Sequence, residues 1–110
     1  MGKYQTYSKR GSPEAGLHQL HAPPAPTLYT SKNDVYQQAN GLDDLGGEVK
    51  LYTAGNINGP WTLSGSHDWV RLWIWGSVEF WSDNYLRATE NGNGWTYQGE
   101  SEPSNILDLT

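Results

Sequence analysis

Trp69-Val-Arg-Leu-Trp-Ile-Trp75 begins the most apolar stretch of the chain, and Gly76-Ser77 and Val78-Glu-Phe-Trp81 follow it directly. Two apolar runs separated by a Gly-Ser pair predict a β-hairpin with a two-residue loop. In that register Trp75 faces Val78, and both faces of the hairpin are largely apolar. We therefore expect the hairpin to lie centrally in a sandwich or barrel, or to pack the core with one face and meet a partner with the other.

The surrounding sequence also has the pattern of short strands joined by tight turns. Asn-Gly, the strongest short-range hairpin signal, occurs four times, and no segment shows a convincing helical period. Besides the hairpin, the predicted strands are Val35–Gln38, Glu48–Ala54, Trp61–Ser64, Tyr85–Glu90, Trp95–Gln98 and Ile106–Leu109. The sequence therefore predicts an all-β fold, a small antiparallel β-sandwich or barrel of about six to eight short strands.

The composition supports one small domain that needs outside contacts. The chain has 110 residues, with 6 Trp, 7 Tyr and 13 Gly, and its hydrophobic share is 35%. It has no Cys, so disulfides and thiolate metal sites are excluded. Because aliphatic residues are few and no covalent staple is present, we expect a homo-oligomer, a trimer or dimer, or docking on a larger assembly.

The N-terminal third differs in character from the rest. Four of the six prolines lie in the first 26 residues, and the HAPPAPTLY stretch is typical of extended polyproline II. Residues 1–34 are therefore predicted to form an extended arm and residues 35–110 a β-sandwich or barrel body. The side chains expected to anchor this arm on a partner are Tyr4, Tyr7, Lys9, Arg10, Leu17, Leu20, Leu28 and Tyr29.

Charge separates the same two parts and narrows the classes of partner. Residues 1–34 carry four basic and two acidic residues (+2), and residues 35–110 carry three basic and ten acidic residues (−7). An acidic body repels phosphate backbones, so no nucleic-acid partner is expected. No apolar run approaches the roughly 20 residues that cross a bilayer, and no secretory signal is apparent, so we expect no membrane partner and synthesis in a host cytoplasm.

Catalytic patterns are weak throughout. His18 and His21 lie in the Pro-rich arm, which does not favour a helix that would hold them as a metal pair. Ser66, His67 and Asp68 are adjacent in a predicted turn, and adjacent side chains diverge too far to form a nucleophilic triad. No pair of carboxylates is singled out and no phosphate-binding loop is present. We predict no catalytic residues, no metal and no cofactor, and hence a protein that is not an enzyme.

The tryptophans are the residues with the clearest binding potential. Flat aromatic faces stack on apolar ligands and sugar rings, and Trp61 and Trp95 both follow turn residues. Core packing is the alternative role for the same side chains. The candidate interface or ligand aromatics are Trp61, Trp69, Trp73, Trp75 and Trp95.

The Pro-rich strap at Tyr4–Tyr29, the Cys-free β body and the chain length together resemble the small decoration (cement) proteins of tailed-phage capsids. This resemblance is one of architecture and carries no individual residue over. It implies a virion location, a capsid or other shell protein as partner, and an arm that lies along the shell while the body oligomerises. The alternative is a carbohydrate- or receptor-binding β module, such as a fibre tip or lectin-like domain, that uses exposed tryptophans.

A second resemblance concerns calcium. The stretch Val49–Gly59 is similar to the βγ-crystallin Greek-key signature, and Trp81–Ala88 resembles that family's calcium motif. The sequence departs from the pattern at Ile57, where an aromatic is expected, and at Arg87-Ala88, where hydroxyl residues are expected. This family is the runner-up, and its calcium is not adopted as a cofactor.

Overall fold

The computed structural model describes residues 21–40 and 47–110, and within them the chain is all-β, without a helix. Seven strands are present in this described part of the chain, which confirms the predicted fold class. They are β1 (Thr27–Ser31), β2 (Asp34–Gln38), β3 (Glu48–Ala54), β4 (Thr62–Asp68), β5 (Leu72–Ser77), β6 (Tyr85–Asn91) and β7 (Leu107–Asp108).

The strands form two antiparallel sheets that give a sandwich-like fold. The three-stranded sheet has the order β1-β2-β5, and the four-stranded sheet has the order β4-β3-β6-β7. The core between them takes Leu28 and Val35 from the first sheet and Leu51, Leu86 and Ala88 from the second. These side chains alternate along their strands with more exposed ones, because successive residues of a strand point to opposite faces.

The β1–β2 hairpin moves the predicted boundary of the arm. β1 and β2 are joined by Lys32 and Asn33, whose φ values of 51° and 71° fit a two-residue turn of the type that matches the strand twist. Thr27–Ser31 is thus the edge strand of the first sheet, and Leu28 is only 1% exposed. The segment 27–34 belongs to the body, in contrast to the predicted division at residue 34.

The hairpin predicted around Gly76-Ser77 is wrong. β5 begins at Leu72 and pairs with β2, while residues 78–83 form successive turns that lead to β6. The indole N–H of Trp81 donates to the carbonyl of Trp75 at 3.0 Å, which folds the turn back on the end of the strand. β2 supplies the hydrogen-bonding partner that the prediction assigned to Val78–Trp81.

Two further predictions about strands are corrected. β4 runs from Thr62 to Asp68, so the Ser66-His67-Asp68 segment predicted as a turn is strand. Residues 95–98 belong to a loop instead of a strand. In that loop the side-chain oxygen of Asn93 accepts the backbone N–H groups of Trp95 and Thr96. These two donors are therefore satisfied locally, without a neighbouring strand.

Candidate functional site

Most of the predicted arm anchors lie outside the described residues: Tyr4, Tyr7, Lys9, Arg10, Leu17 and Leu20. The other two lie on β1 and have different surroundings. Leu28 is buried in the core, so it is not available to a partner. Tyr29 is 38% exposed and stacks on Tyr36 of β2, with ring centroids 5.3 Å apart.

The five candidate tryptophans are dispersed over the body. Trp73 and Trp75 lie on β5, where Trp73 stacks on the His67 ring of β4 at 4.0 Å and Trp75 donates its indole N–H to Gln37 at 2.6 Å. Trp69 is half-buried just before β5, and Trp95 is 77% exposed in the loop after β6. Trp61 lines a cleft on the four-stranded sheet. The structure therefore brings together only Trp73 and Trp75.

The outer face of the three-stranded sheet carries a row of large side chains. Tyr29 is the register partner of Tyr36, and Tyr36 is the partner of Ile74, so the three lie side by side across the sheet. Leu72, two residues before Ile74 on β5, points to the same side. Leu72 and Ile74 are 51% and 49% exposed. We call Tyr29, Tyr36, Leu72 and Ile74 the outer apolar face.

A cleft of about 310 Å³ lies on the outer side of the four-stranded sheet. Its lining residues are Tyr52, Trp61, Arg87, Thr89, Glu100, Ser101 and Pro103. Register places Tyr52 of β3 beside Arg87 of β6. The Arg87 guanidinium lies 4.4 Å from the centre of the Trp61 ring, a cation–π contact that fixes the donor group against the aromatic wall.

The acceptor of the cleft is the Glu100 carboxylate. One of its oxygens, Oε2, accepts the Thr89 hydroxyl at 2.5 Å and the Tyr52 hydroxyl at 2.8 Å. The Thr89 hydrogen bond is the main cause that holds the pKa of Glu100 below its ordinary value, and it outweighs the effect of partial burial. Burial is the main cause that raises the pKa of Tyr52, and the hydrogen bond to Glu100 is the next. The Tyr52 hydroxyl therefore stays protonated and donates to Glu100. The cleft thus presents a cation, Arg87, and an anion, Glu100, among its lining residues.

Of these cleft residues only Trp61 was among the predicted site residues. Tyr52, Arg87 and Glu100 are far apart in sequence, and no local motif groups the three. Strand alternation offered a signal for two of them, since Tyr52 and Arg87 stand at the outward positions of strands whose inward positions are apolar. Their adjacency follows only from the β3–β6 register.

His67 of β4 connects the two sheets through its contacts with the β5 tryptophans. Its ring contacts Trp73 and lies 5.0 Å from Trp75, and its Nδ1 is hydrogen-bonded to the Asp68 carbonyl at 2.5 Å. Burial is the main cause that lowers the pKa of His67, although the contact with Asp68 acts in the opposite direction. The neutral ring is therefore favoured, as a packing partner for the β5 tryptophans.

Glu90 is the most deeply buried carboxyl group of the described residues, at 1% exposure. Its Oε1 accepts the backbone N–H of Asn40 at 2.6 Å. Burial raises the pKa of Glu90; the Asn40 N–H and the nearby Trp69 indole oppose the rise without cancelling it. Folded Glu90 therefore holds its proton more tightly than unfolded Glu90 does.

We expect Glu90→Gln to flatten the pH dependence of stability. Because the folded pKa is raised, the wild-type chain loses stability as pH rises from the ordinary value of 4.5 through the raised value. The loss approaches about 1.4 kcal/mol for each pH unit across that window, and Glu90→Gln removes it. Urea unfolding of both chains between pH 4 and 8 measures the difference; parallel profiles would contradict the assignment.

Within residues 21–40 and 47–110, no group of three or more His, Asp or Glu side chains is arranged to hold a metal ion. The same residues contain no helix long and apolar enough to cross a membrane. Comparison with known proteins gives no match to a family model and no match to a curated protein.

Proposed function

We propose that this chain is a non-enzymatic structural protein of a virus particle, a capsid decoration protein that binds a shell through its N-terminal segment and its outer apolar face. The segment before His21 supplies Tyr4, Tyr7, Lys9 and Arg10, whose aromatic and basic character suits an acidic protein surface. The body contributes the three-stranded sheet that carries the outer apolar face. The virion is the expected location, with no nucleic acid or membrane as partner.

The observation that carries this proposal is the outer apolar face. Four large side chains, Tyr29, Tyr36, Leu72 and Ile74, occupy one side of a three-stranded sheet whose other side forms the core. Soluble monomers seldom expose contiguous apolar patches, and such patches mark protein interaction sites. Tyr is also enriched in interfaces because it combines a large ring with a hydroxyl.

The location of the protein tests this function. An antibody raised against the purified chain is used for immunogold electron microscopy of particles pelleted from cells that produce it. Regular labelling of shells supports the proposal. A chain found only in the supernatant, with unlabelled shells in the pellet, contradicts it.

A carbohydrate-binding module is the second candidate, and the cleft is the observation that favours it. Sugar hydroxyl groups both donate and accept hydrogen bonds, and Arg87 and Glu100 offer a fixed donor and a fixed acceptor in one cleft. Trp61 adds an aromatic wall, although Arg87 covers one face of its ring. Among the tryptophans, this geometry favours Trp61 over Trp95 as the ligand contact.

For this second function we expect Arg87→Ala to abolish glycan binding and Trp95→Ala to preserve it. Arg87 supplies the cation of the cleft, whereas Trp95 is a 77% exposed loop residue that does not line it. The measurement is binding of each fluorescently labelled chain to a glycan array. Equal losses in both variants, or no binding by the wild-type chain, would remove this candidate.

A further inference from the structure

The two edge strands of the three-stranded sheet, β1 and β5, differ in what lies against their outward backbone groups. At the β1 edge, the Asn105 side chain accepts the Leu28 backbone N–H and donates to the Leu28 carbonyl, both at 2.8 Å. One amide thus takes the place of a neighbouring strand and blocks further pairing there. Among the described residues, β5 has no strand on its outer side.

The orientation of the β5 backbone follows from its pairing with β2. The Arg71 carbonyl accepts the Ala39 N–H at 2.8 Å, and Trp73 is the partner of Gln37. In an antiparallel ladder, alternate residues direct both backbone groups to the same neighbour. Arg71 and Trp73 therefore point towards β2, and the N–H and C=O groups of Leu72 and Ile74 point outwards.

The β5 edge also lacks the usual protection against pairing. Natural edge strands carry charges, prolines or bulges that turn the edge away. The β5 sequence LWIWGS has neither a charged residue nor a proline, and its register shift with β2 lies beyond Ile74. In a chain with a net charge of −5, an uncharged strand is where a second copy approaches with least repulsion.

We propose that β5 pairs with β5 of a second copy of this chain, antiparallel about a two-fold axis. Leu72 of each copy is opposite Ile74 of the other, with Trp73 on the axis, so the two outward residues form a self-complementary set. The result is a continuous six-stranded sheet. Its outer apolar face is twice as large. The use of this larger face in shell binding rests on the proposed function, whereas the dimer itself does not.

Ile74→Pro tests the backbone contacts. Proline removes the outward N–H of Ile74 and leaves the β2 ladder intact, which is tolerated on an edge strand. Loss of two symmetry-related hydrogen bonds should raise the dimer dissociation constant by about 10- to 100-fold in sedimentation equilibrium. Ile74→Val keeps the N–H and should dimerise like the wild-type chain. Ile57→Lys should do the same, because Ile57 is a loop residue that is 51% exposed, close to the 49% of Ile74.

Cysteine pairing tests the register. The chain has no native Cys, so Leu72→Cys and Ile74→Cys each introduce a single thiol. Hydrogen-bonded antiparallel partners lie about 5.5 Å apart at Cα, within disulfide range. An equal mixture of the two variants should therefore oxidise to mixed dimers much faster than either variant alone.

The outcomes separate this proposal from the proposed function. A wild-type chain that stays monomeric at every concentration, or Ile74→Pro that dimerises normally while remaining folded by circular dichroism, overturns the pairing. Equal oxidation of the single variants and of the mixture overturns the register. Unlabelled shells together with a dimer that meets both tests would overturn the shell function alone.

Discussion

Leu28→Ala should lower the free energy of unfolding by about 2–5 kcal/mol, the range for a buried leucine truncated in a packed core. Leu28 is 1% exposed and belongs to the cluster with Val35, Leu51 and Leu86. It is the one buried residue of β1. A domain of this size has a total stability of roughly 5–15 kcal/mol, so the variant would be close to unfolding.

Urea unfolding followed by tryptophan fluorescence measures this loss. Thr27→Ala is the matched control, because Thr27 is an exposed residue one position away on the same strand. We expect the control to change stability by less than about 0.5 kcal/mol. Similar small effects in both variants would mean that β1 does not contribute to the core, and the division at residue 34 would regain support.

The contribution of Leu28 to the core also limits how far the N-terminal segment can be truncated. A chain that starts at Asp34 lacks the whole of β1 and should not fold. A chain that starts at His21 retains β1, and it also retains the His21 carbonyl that accepts the Gln98 N–H at 2.9 Å. A test of partner binding by the N-terminal segment must therefore remove residues 1–20 only.

Alternation and turn chemistry were sufficient to predict much of the fold. The predicted strands Glu48–Ala54 and Tyr85–Glu90 match β3 and β6 to within one residue, because Val49 and Leu51, and likewise Leu86 and Ala88, alternate with polar or aromatic residues. β1 was missed since Thr27–Ser31 directly follows a Pro-rich run, and its turn, Lys32-Asn33, lacks the glycine of a typical hairpin signal. The apolar run at Trp69–Trp75 overlaps β5, but the hairpin pattern indicated the wrong neighbour, because the partner strand β2 is remote in sequence.

The candidate surfaces were harder to predict than the strands. The cleft joins Tyr52, Arg87 and Glu100, and the outer apolar face joins β1, β2 and β5. Both depend on which strands are neighbours and in what register, and a sequence pattern specifies neither. Glu90 illustrates the same limit: alternation along β6 points its side chain inwards, but only the fold shows that the remote Asn40 N–H satisfies its carboxyl group.

Gly92→Ala should destabilise the chain by about 1–3 kcal/mol, the range for overpacking a filled site. A Cβ at Gly92 would lie 2.7 Å from the Gln98 backbone nitrogen and closer still to the Tyr97 backbone carbonyl. Real Cβ contacts are longer, and backbone atoms have little freedom to move aside. The loop must therefore open, which weakens the 2.8 Å hydrogen bond from the Gly92 N–H to the Gly99 carbonyl.

This opening also reaches the cleft, because Glu100 follows Gly99 and pairs with Asn91 beside the same hydrogen bond. Gly92→Ala should therefore shift Glu100 away from Thr89 and Tyr52. The pKa of Glu100 should then rise towards its ordinary value, since the Thr89 hydrogen bond is the main cause that lowers it.

Gly55→Ala is the control: its added Cβ meets no atom within 4 Å. Urea unfolding measures the stability of both variants, and carboxyl NMR titration measures the pKa. If Gly92→Ala is destabilised but the pKa of Glu100 stays at its wild-type value, the loop and the cleft are independent. If the stability falls and the pKa of Glu100 rises together, the position of the Glu100 carboxylate in the cleft depends on the backbone at Gly92.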